Sequence, residues 1–125
     1  MKKNVDVSSI VIDGKTYVPE DSITSMAKEL KGMKYCIVRT YSAGVFAGYV
    51  ESRDGQEVVI LKSRRIWMWK GAATLSQLAI DGSTCPEECK FPCEVEKTEL
   101  MQVIEIIECT EKAMKCIQGV SVWKT

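Results

Sequence analysis

The stretch Lys62–Lys70, KSRRIWMWK, limits what this chain can fold into more than any other. Read as a strand, its alternation sets Arg65, Trp67 and Trp69 on one face and Arg64, Ile66 and Met68 on the other. One face then offers two indoles beside a guanidinium, which suits flat, anionic ligands such as nucleotides. The plain alternative is that both tryptophans are core, since aromatic residues in strands usually pack. Gly71 breaks the strand, and Ala72–Ala79 (AATLSQLA) reads as a short helix that begins in small residues. A helix N-terminus beside an arginine is a natural phosphate seat, because unpaired backbone N–H groups point outward there.

At 125 residues the chain holds one real core and is too short for two. Basic and acidic residues balance at 17 each, so no net field draws the protein to nucleic acid or to an anionic membrane. No apolar run reaches membrane length and no signal-peptide pattern opens the chain, so a cytosolic protein is expected. Of the six cysteines, Cys85, Cys89 and Cys93 are evenly spaced around Pro86 and Pro92. This is not the C-x-x-C pairing of zinc ribbons, and the chain has no histidine to complete a mixed site. Free thiols are expected, with no metal and no cofactor, while a metal or redox role stays open as the alternative.

The chain before this region begins with two short strands, VSSIVI and TYVP, joined by Asp13-Gly14, a strong hairpin signal. Asp21 or Ser22 can cap a helix through Ile23, Met26, Ala27 and Leu30, which Gly32 stops. Residues 1–33 therefore read as an arm that either folds onto the body or binds a second copy, the latter favoured, and residues 34–125 as the core. Lys34–Tyr41, Val45–Glu51 and Glu57–Leu61 read as strands, joined by Ser42-Ala43-Gly44 and by Arg53-Asp54-Gly55. With the tryptophan strand they make a four-stranded antiparallel meander, curled toward a half-barrel. Asp81–Pro92 reads as an irregular loop, Leu100–Cys109 as a buried strand, and Glu111–Gln118 as a helix capped by Thr110 and closed by Gly119. Val120–Trp123 is a last short strand. The fold class is α+β, with two or three short helices and an N-terminal hairpin-helix assembly arm.

The lack of histidine removes the commonest general base. No nucleophile elbow, phosphate-binding loop or dinucleotide fingerprint is present, and the spacing Gly44-x-x-x-Gly48 lies in a strand context. Glu87/Glu88 and Glu105/Glu108 are explained by solvated charge. Binding is expected over catalysis, so the chain does not read as an enzyme.

Four blocks carry a resemblance: KYCIVRTYSAGVFAG from Lys34 to Gly48, RRIWMWKGAATLSQLA from Arg64, CKFPCEV from Cys89, and QVIEIIECTEKA from Gln102. Taken in this order and spacing, they span about two thirds of the chain. The chain resembles the first-described Thoeris anti-defence proteins of bacteriophages. The resemblance implies a molecular sponge in the cytoplasm of the infected bacterial host. Such proteins bind cyclic ADP-ribose isomers, made from NAD by Toll/interleukin-receptor domain enzymes, and leave them uncut. Some members also sequester cyclic oligonucleotides at separate sites, and assemblies larger than a dimer occur. The partners implied here are therefore a cyclic ADP-ribose isomer such as glycocyclic ADP-ribose, cyclic di- or trinucleotides as a second class, and further copies of the chain, up to a hexamer.

The residue chemistry agrees with such a ligand: an aromatic ring holds adenine, and arginine holds pyrophosphate. The candidate ligand-binding residues are Arg39, Tyr41, Ser42, Arg64, Arg65, Trp67, Trp69 and Phe91. Arg65 is expected as the phosphate ligand, Phe91 or Trp67 as the adenine stack, and Tyr41 and Ser42 as partners of the ribose hydroxyls. Phe91, between Lys90 and Pro92 in a loop, is the aromatic expected to be exposed. Arg39 and Arg64 could instead make ion pairs across the sheet, and Tyr41 could be core. The competing classes are a small nucleic-acid-binding sheet, against which the balanced charge argues, and a protein-interaction module built on the arm.

Overall fold

The computed structural model describes residues 10–12, 15–17 and 25–125. In the arm, β1 (Ile10–Ile12) and β2 (Lys15–Tyr17) pair antiparallel with Val11 opposite Thr16. The turn Asp13-Gly14 and the expected helix start at residues 21–24 lie outside the described residues. From Ser25 to Leu30 the expected helix is absent. Met26 bridges Thr110, the Ala27 N–H bonds the Cys109 carbonyl at 3.0 Å, and the Lys28 N–H bonds the Glu111 carboxylate at 3.0 Å. These distant partners take the donors that a helix would have used locally. Lys31 and Gly32, at φ 52° and 82°, then form a tight two-residue turn in which Leu30 and Met33 exchange both backbone hydrogen bonds. Ala27, Leu30 and Met33 pack on the core, so this part of the arm folds onto the body.

The core is an open five-stranded antiparallel sheet with two helices on one face. The strands are β3 (Tyr35–Thr40), β4 (Val45–Asp54), β5 (Glu57–Arg65), β6 (Glu94–Leu100) and β7 (Val103–Glu108), in the spatial order β6-β5-β4-β3-β7. Three consecutive strands form the meander, as expected. The fourth is not the tryptophan segment: β5 continues as one strand from Glu57 to Arg65 and ends there. Its outer neighbour is β6, charged and unanticipated, 28 residues further on. The sequence from Leu100 to Cys109 is correspondingly two pieces, since Met101-Gln102 is a turn, with Gln102 at φ 58°.

That turn sets the curvature of the sheet. β6 and β7 lie on opposite edges, yet only two residues join them. In a flat sheet four strand spacings would separate them by about 19 Å, whereas three Cα steps reach about 11 Å. The sheet must therefore coil until its edges converge. At the convergence Tyr41 N–H bonds the Gln102 carbonyl and Val103 N–H bonds the Gln56 carbonyl, both at 2.9 Å. The concave face fills itself with Cys36, Val38, Phe46, Val58, Ile60, Leu100 and Val103.

The bend is helped by a bulge. Lys62 and Ser63 together oppose Gly48, and Lys62 takes φ 51°. A Cβ on Gly48 would sit 2.9 Å from the Leu61 carbonyl oxygen and 3.1 Å from the Ser63 Cα, so only glycine fits beneath the bulge. The extra residue shifts the alternation, and Arg64 joins Leu61 on the helix face while Arg65 lies on the concave face over Phe46.

On the helix face, α1 (Leu75–Asp81) and α2 (Glu111–Gly119) cover Tyr35, Ile37, Ala47, Tyr49, Ile66 and Phe91 with Leu78, Ala79, Ala113, Met114 and Ile117. Thr110 caps α2 as expected, accepting from the Ala113 N–H at 3.1 Å. Gly119 is the last helical residue, one position inside its expected place. α1 begins three residues later than the sequence suggested. Thr74 accepts from the Gln77 N–H at 3.1 Å, and the Gln77 side chain accepts from the Ala73 N–H at 2.8 Å. A 3₁₀ turn, Pro86–Glu88, lies in the expected loop. The last short strand reduces to a single bridge, Val122 against Phe91.

Candidate functional site

Beyond Arg65 the chain leaves the sheet. The Ile66 N–H still bonds the Val45 carbonyl at 2.8 Å, and Ile66 is buried. Trp67 follows beside the β3–β4 turn and is 62% exposed. Met68 pairs instead with Lys90, each N–H bonding the other's carbonyl, at 3.2 and 2.7 Å. Trp69 turns inward: it is half-buried against the core, and its Nε1–H bonds the Ala72 carbonyl at 3.2 Å. The two indoles therefore do not share a face. Because the strand ends at Arg65, its two-residue period no longer applies.

Arg65 is exposed. Its guanidinium lies 4.3 Å from the Phe46 ring centroid, and Nη1 donates to the Ala43 carbonyl at 2.6 Å. It makes no ion pair among the described residues, which leaves further donors of the fork toward solvent. The adjoining turn is shaped by Thr40, whose Oγ1 accepts from the Ala43 N–H at 2.9 Å and donates to the Gly44 carbonyl at 2.8 Å. Ser42 is exposed on it, and Tyr41 is 75% exposed, so Tyr41 is not a core residue. Arg65, Ser42, Tyr41 and Trp67 thus belong to one end of the sheet.

The other candidates lie elsewhere. Arg64 is 5% exposed and spends its nitrogens on three carbonyls: Nε on Pro92 at 2.8 Å, Nη1 on Ile117 at 2.9 Å and Nη2 on Phe91 at 3.0 Å. Burial pulls its pKa below the usual guanidinium range. It is a staple between β5, the Phe91 segment and the C-terminal end of α2, where a cation suits the helix dipole. Neither a ligand contact nor an ion pair across the sheet describes it. Phe91, expected to be exposed, is 1% exposed beneath Arg64, with the guanidinium 5.6 Å from its ring. Arg39 is paired with Glu105 at 3.0 Å, directly across from it on β7. Such an exposed pair is worth ~0–1 kcal/mol and is easily broken.

The expected phosphate seat at Ala72 is also absent. The helix there starts at Leu75, runs seven residues and has its first turn closed by its own capping side chains.

Two residues outside the sequence-derived set join Trp67. Trp123 lies parallel to it, with ring centroids 6.2 Å apart and planes 12° from parallel, and is itself 39% exposed. The Lys90 ammonium stands 5.6 Å from the Trp123 ring centroid. No local pattern announces this grouping, because three segments distant in sequence make it. The one available signal was a third tryptophan in the segment VWKT, residues 122–125.

Grooves of about 400 and 420 Å³ lie near the convergence of the sheet edges, lined by Arg53, Gln56, Ile104 and Glu105 and by Glu57, Val59, Glu99 and Met101. Neither touches a tryptophan or Arg65. All six cysteines are free, and among the described residues no cluster of three acidic or thiol side chains is placed to hold a metal. Burial pushes the Cys36 thiol up to about 11 and the Cys109 thiol up to about 12. Among the described residues no helix is long and apolar enough to cross a membrane.

Residues 33–117 match the model of a family described as "Domain of unknown function (DUF6948)". No curated protein and no solved structure matches the chain.

Proposed function

The chain belongs to that family, and we propose that it acts as a phage anti-defence sponge, binding a cyclic ADP-ribose isomer and holding it uncut. One observation carries this reading: an exposed indole, Trp67, two residues along the chain from an exposed guanidinium with unused donors, Arg65, where β5 leaves the sheet. Adenine stacks on the indole, and the pyrophosphate takes the guanidinium. Ser42 and Tyr41, on the turn that Arg65 touches, meet the ribose hydroxyls. A chain with no histidine offers poor acid–base machinery for cleavage, which suits a protein that must keep its ligand intact.

In this reading the protein works in the cytoplasm of the infected bacterium and assembles with further copies through the arm. Cyclic di- and trinucleotides form a second ligand class at separate sites.

A second reading is favoured by a different feature. Tyr41, Met101 and Ile104, 75%, 66% and 45% exposed, crowd the convergence of the sheet edges. Tyr41 and Ile104 share a hollow of about 250 Å³ there with Gln56 and Gln102. Exposed apolar groups gathered in this way mark a surface for another protein.

The test is capture followed by heat release. Purified protein is incubated with glycocyclic ADP-ribose and, separately, with cyclic di- and trinucleotides, and free ligand is assayed before and after denaturation. The sponge reading requires depletion of the cyclic ADP-ribose isomer and its intact recovery on heating. Conversion to a product would make the protein an enzyme. If every ligand stays free well above micromolar concentrations, the interaction module becomes the leading reading.

A further inference from the structure

We propose that the outer edge of β7 is an interface between two copies of this chain, which pair antiparallel about a two-fold axis at Ile106 and so extend one sheet into the next.

The two outer strands of the sheet are built differently. β6 carries Glu94, Glu96, Lys97 and Glu99 among its seven residues, and charge of this density keeps an edge from pairing. β7 reads VIEIIE, with no lysine and no proline. Its two carboxylates are already engaged on the β3 side, Glu105 by Arg39 at 3.0 Å and Glu108 by Lys34 at 3.1 Å. What remains is a β-branched edge of the kind that takes up a further strand. The backbone is available too. The Cys109 N–H bonds the Tyr35 carbonyl at 3.0 Å, and Ile107 and Glu105 lie opposite Ile37 and Arg39. By alternation these residues face β3, and Ile106 and Glu108 turn their N–H and C=O groups outward. Among the described residues no strand pairs with them there. Hollows of about 400 and 310 Å³, both lined by Ile106, lie along this strand.

The limits of the free stretch fix the register. At one end the Val103 N–H is taken by the Gln56 carbonyl, and at the other the Cys109 carbonyl is taken by the Ala27 N–H. Residues 104–108 are left between them, and a two-fold axis at Ile106 uses all five. Ile106 then faces Ile106 of the second copy, Glu105 faces Ile107, and Glu108 faces Ile104, so no carboxylate opposes another. An axis at Glu105 would set that carboxylate against itself. An axis at Ile107 would push Ile104 and Glu105 onto positions that Ser25–Ala27 already occupies.

The ends of the strand match as well. In this register Gln102 of one copy stands level with Thr110 of the other. Tyr41 and Met101, 75% and 66% exposed, adjoin Gln102, and Met26, 49% exposed, bridges Thr110. The axis brings these apolar groups together twice, adding area to a pairing too short to hold by itself. Self-complementary charge and self-complementary ends select a second copy over an unrelated peptide.

Sedimentation and hydrogen exchange on the full-length chain test this, with or without any nucleotide. The parent should sediment as an even number of copies. Its Ile106 and Glu108 amides should exchange about tenfold slower in concentrated than in dilute solution, a measurement that needs no variant. Ile104→Glu, at an exposed site, sets a carboxylate against Glu108 of the second copy and should halve the mass. Ile104→Lys sets an ammonium there and should keep the mass of the parent, which also shows that the site accepts a charged residue without unfolding. A monomeric parent, two variants that behave alike, or an assembly whose Ile106 amide exchanges freely would each overturn the proposal. Ligand capture read on the same samples keeps the two readings apart: pairing without capture removes the sponge alone, and capture by a monomer removes the interface alone.

Discussion

Arg64 on β5 donates to the carbonyl of Ile117, near the end of α2, at 2.9 Å, and so ties the sheet to its covering helix through a buried guanidinium. With the bonds to Phe91 and Pro92, this one side chain reaches three carbonyls, sharing that of Phe91 with the Trp123 N–H and that of Ile117 with the Val120 N–H.

Removing it should be costly. Arg64→Ala takes the guanidinium donor from the Pro92 carbonyl and a second donor from those of Phe91 and Ile117, and it opens a void beside Phe91, so a loss of about 3 kcal/mol in chemical denaturation is expected. Arg64→Lys should recover little of it, because an ammonium cannot reproduce the planar fork. A variant as stable as the parent would show that the carbonyls find other partners.

Arg65 should behave in the opposite way. It is exposed and its packing is limited to the Phe46 ring and the Ala43 carbonyl, so Arg65→Ala should change stability by no more than about 1 kcal/mol. The same substitution should weaken binding of the cyclic ADP-ribose isomer about tenfold, as expected for loss of one charge-assisted contact. Unchanged affinity would remove Arg65 from the site.

The bulge offers a backbone test. Gly48→Ala drives a methyl to 2.9 Å from the Leu61 carbonyl oxygen, and neither strand can yield without disturbing the coil of the sheet. A loss of about 2 kcal/mol or more is expected from thermal unfolding. Gly32→Ala, where nothing lies within 4 Å, should cost only the strain of its φ of 82°, about 1 kcal/mol.

The thiols set a pH dependence. Cys36 and Cys109 are held neutral by burial up to about 11 and about 12, against an ordinary value of 9.0. Between those limits the unfolded chain loses protons that the folded chain keeps, so the folded state binds more protons and stability falls as pH rises. A decline of about 2 kcal/mol from pH 9 to 10 is expected, about 1 kcal/mol from each thiol, and it should halve in Cys36→Ala or Cys109→Ala. At neutral pH a thiol reagent should modify the exposed Cys93 ahead of these two. Equal rates at all three would contradict their burial.

Much of the fold was legible because it rests on local rules. The Asp54-Gly55 turn, the three-strand meander and the Thr110 cap follow from turn chemistry, alternation and capping. The misses share a cause. Ser25–Leu30 carries a helical stripe, but Thr110, Cys109 and Glu111 take its hydrogen bonds. Alternation through KSRRIWMWK counts correctly only if no residue is inserted, and the bulge at Lys62 inserts one. Gly48, a glycine inside a strand, was the clue to that bulge. β6, with one apolar side chain in its first six residues, shows no core pattern because it is an edge strand.

The sequence by itself determined an α+β domain, its main turns, the cap of its last helix and the stock of arginines and aromatic rings that a site could draw on. Only the tertiary structure decided where those residue types go. It buried Phe91 and Arg64, exposed Tyr41 and Trp67, and brought Trp123 and Lys90 beside Trp67 from segments far apart in the chain. The physical reason lies in range. Turns, caps and alternation are short-range preferences written in neighbouring residues, whereas exposure depends on which distant segment arrives to cover a side chain. Here that arrival is governed by the coil of the sheet and by Arg64, whose partners lie 27 to 53 residues away.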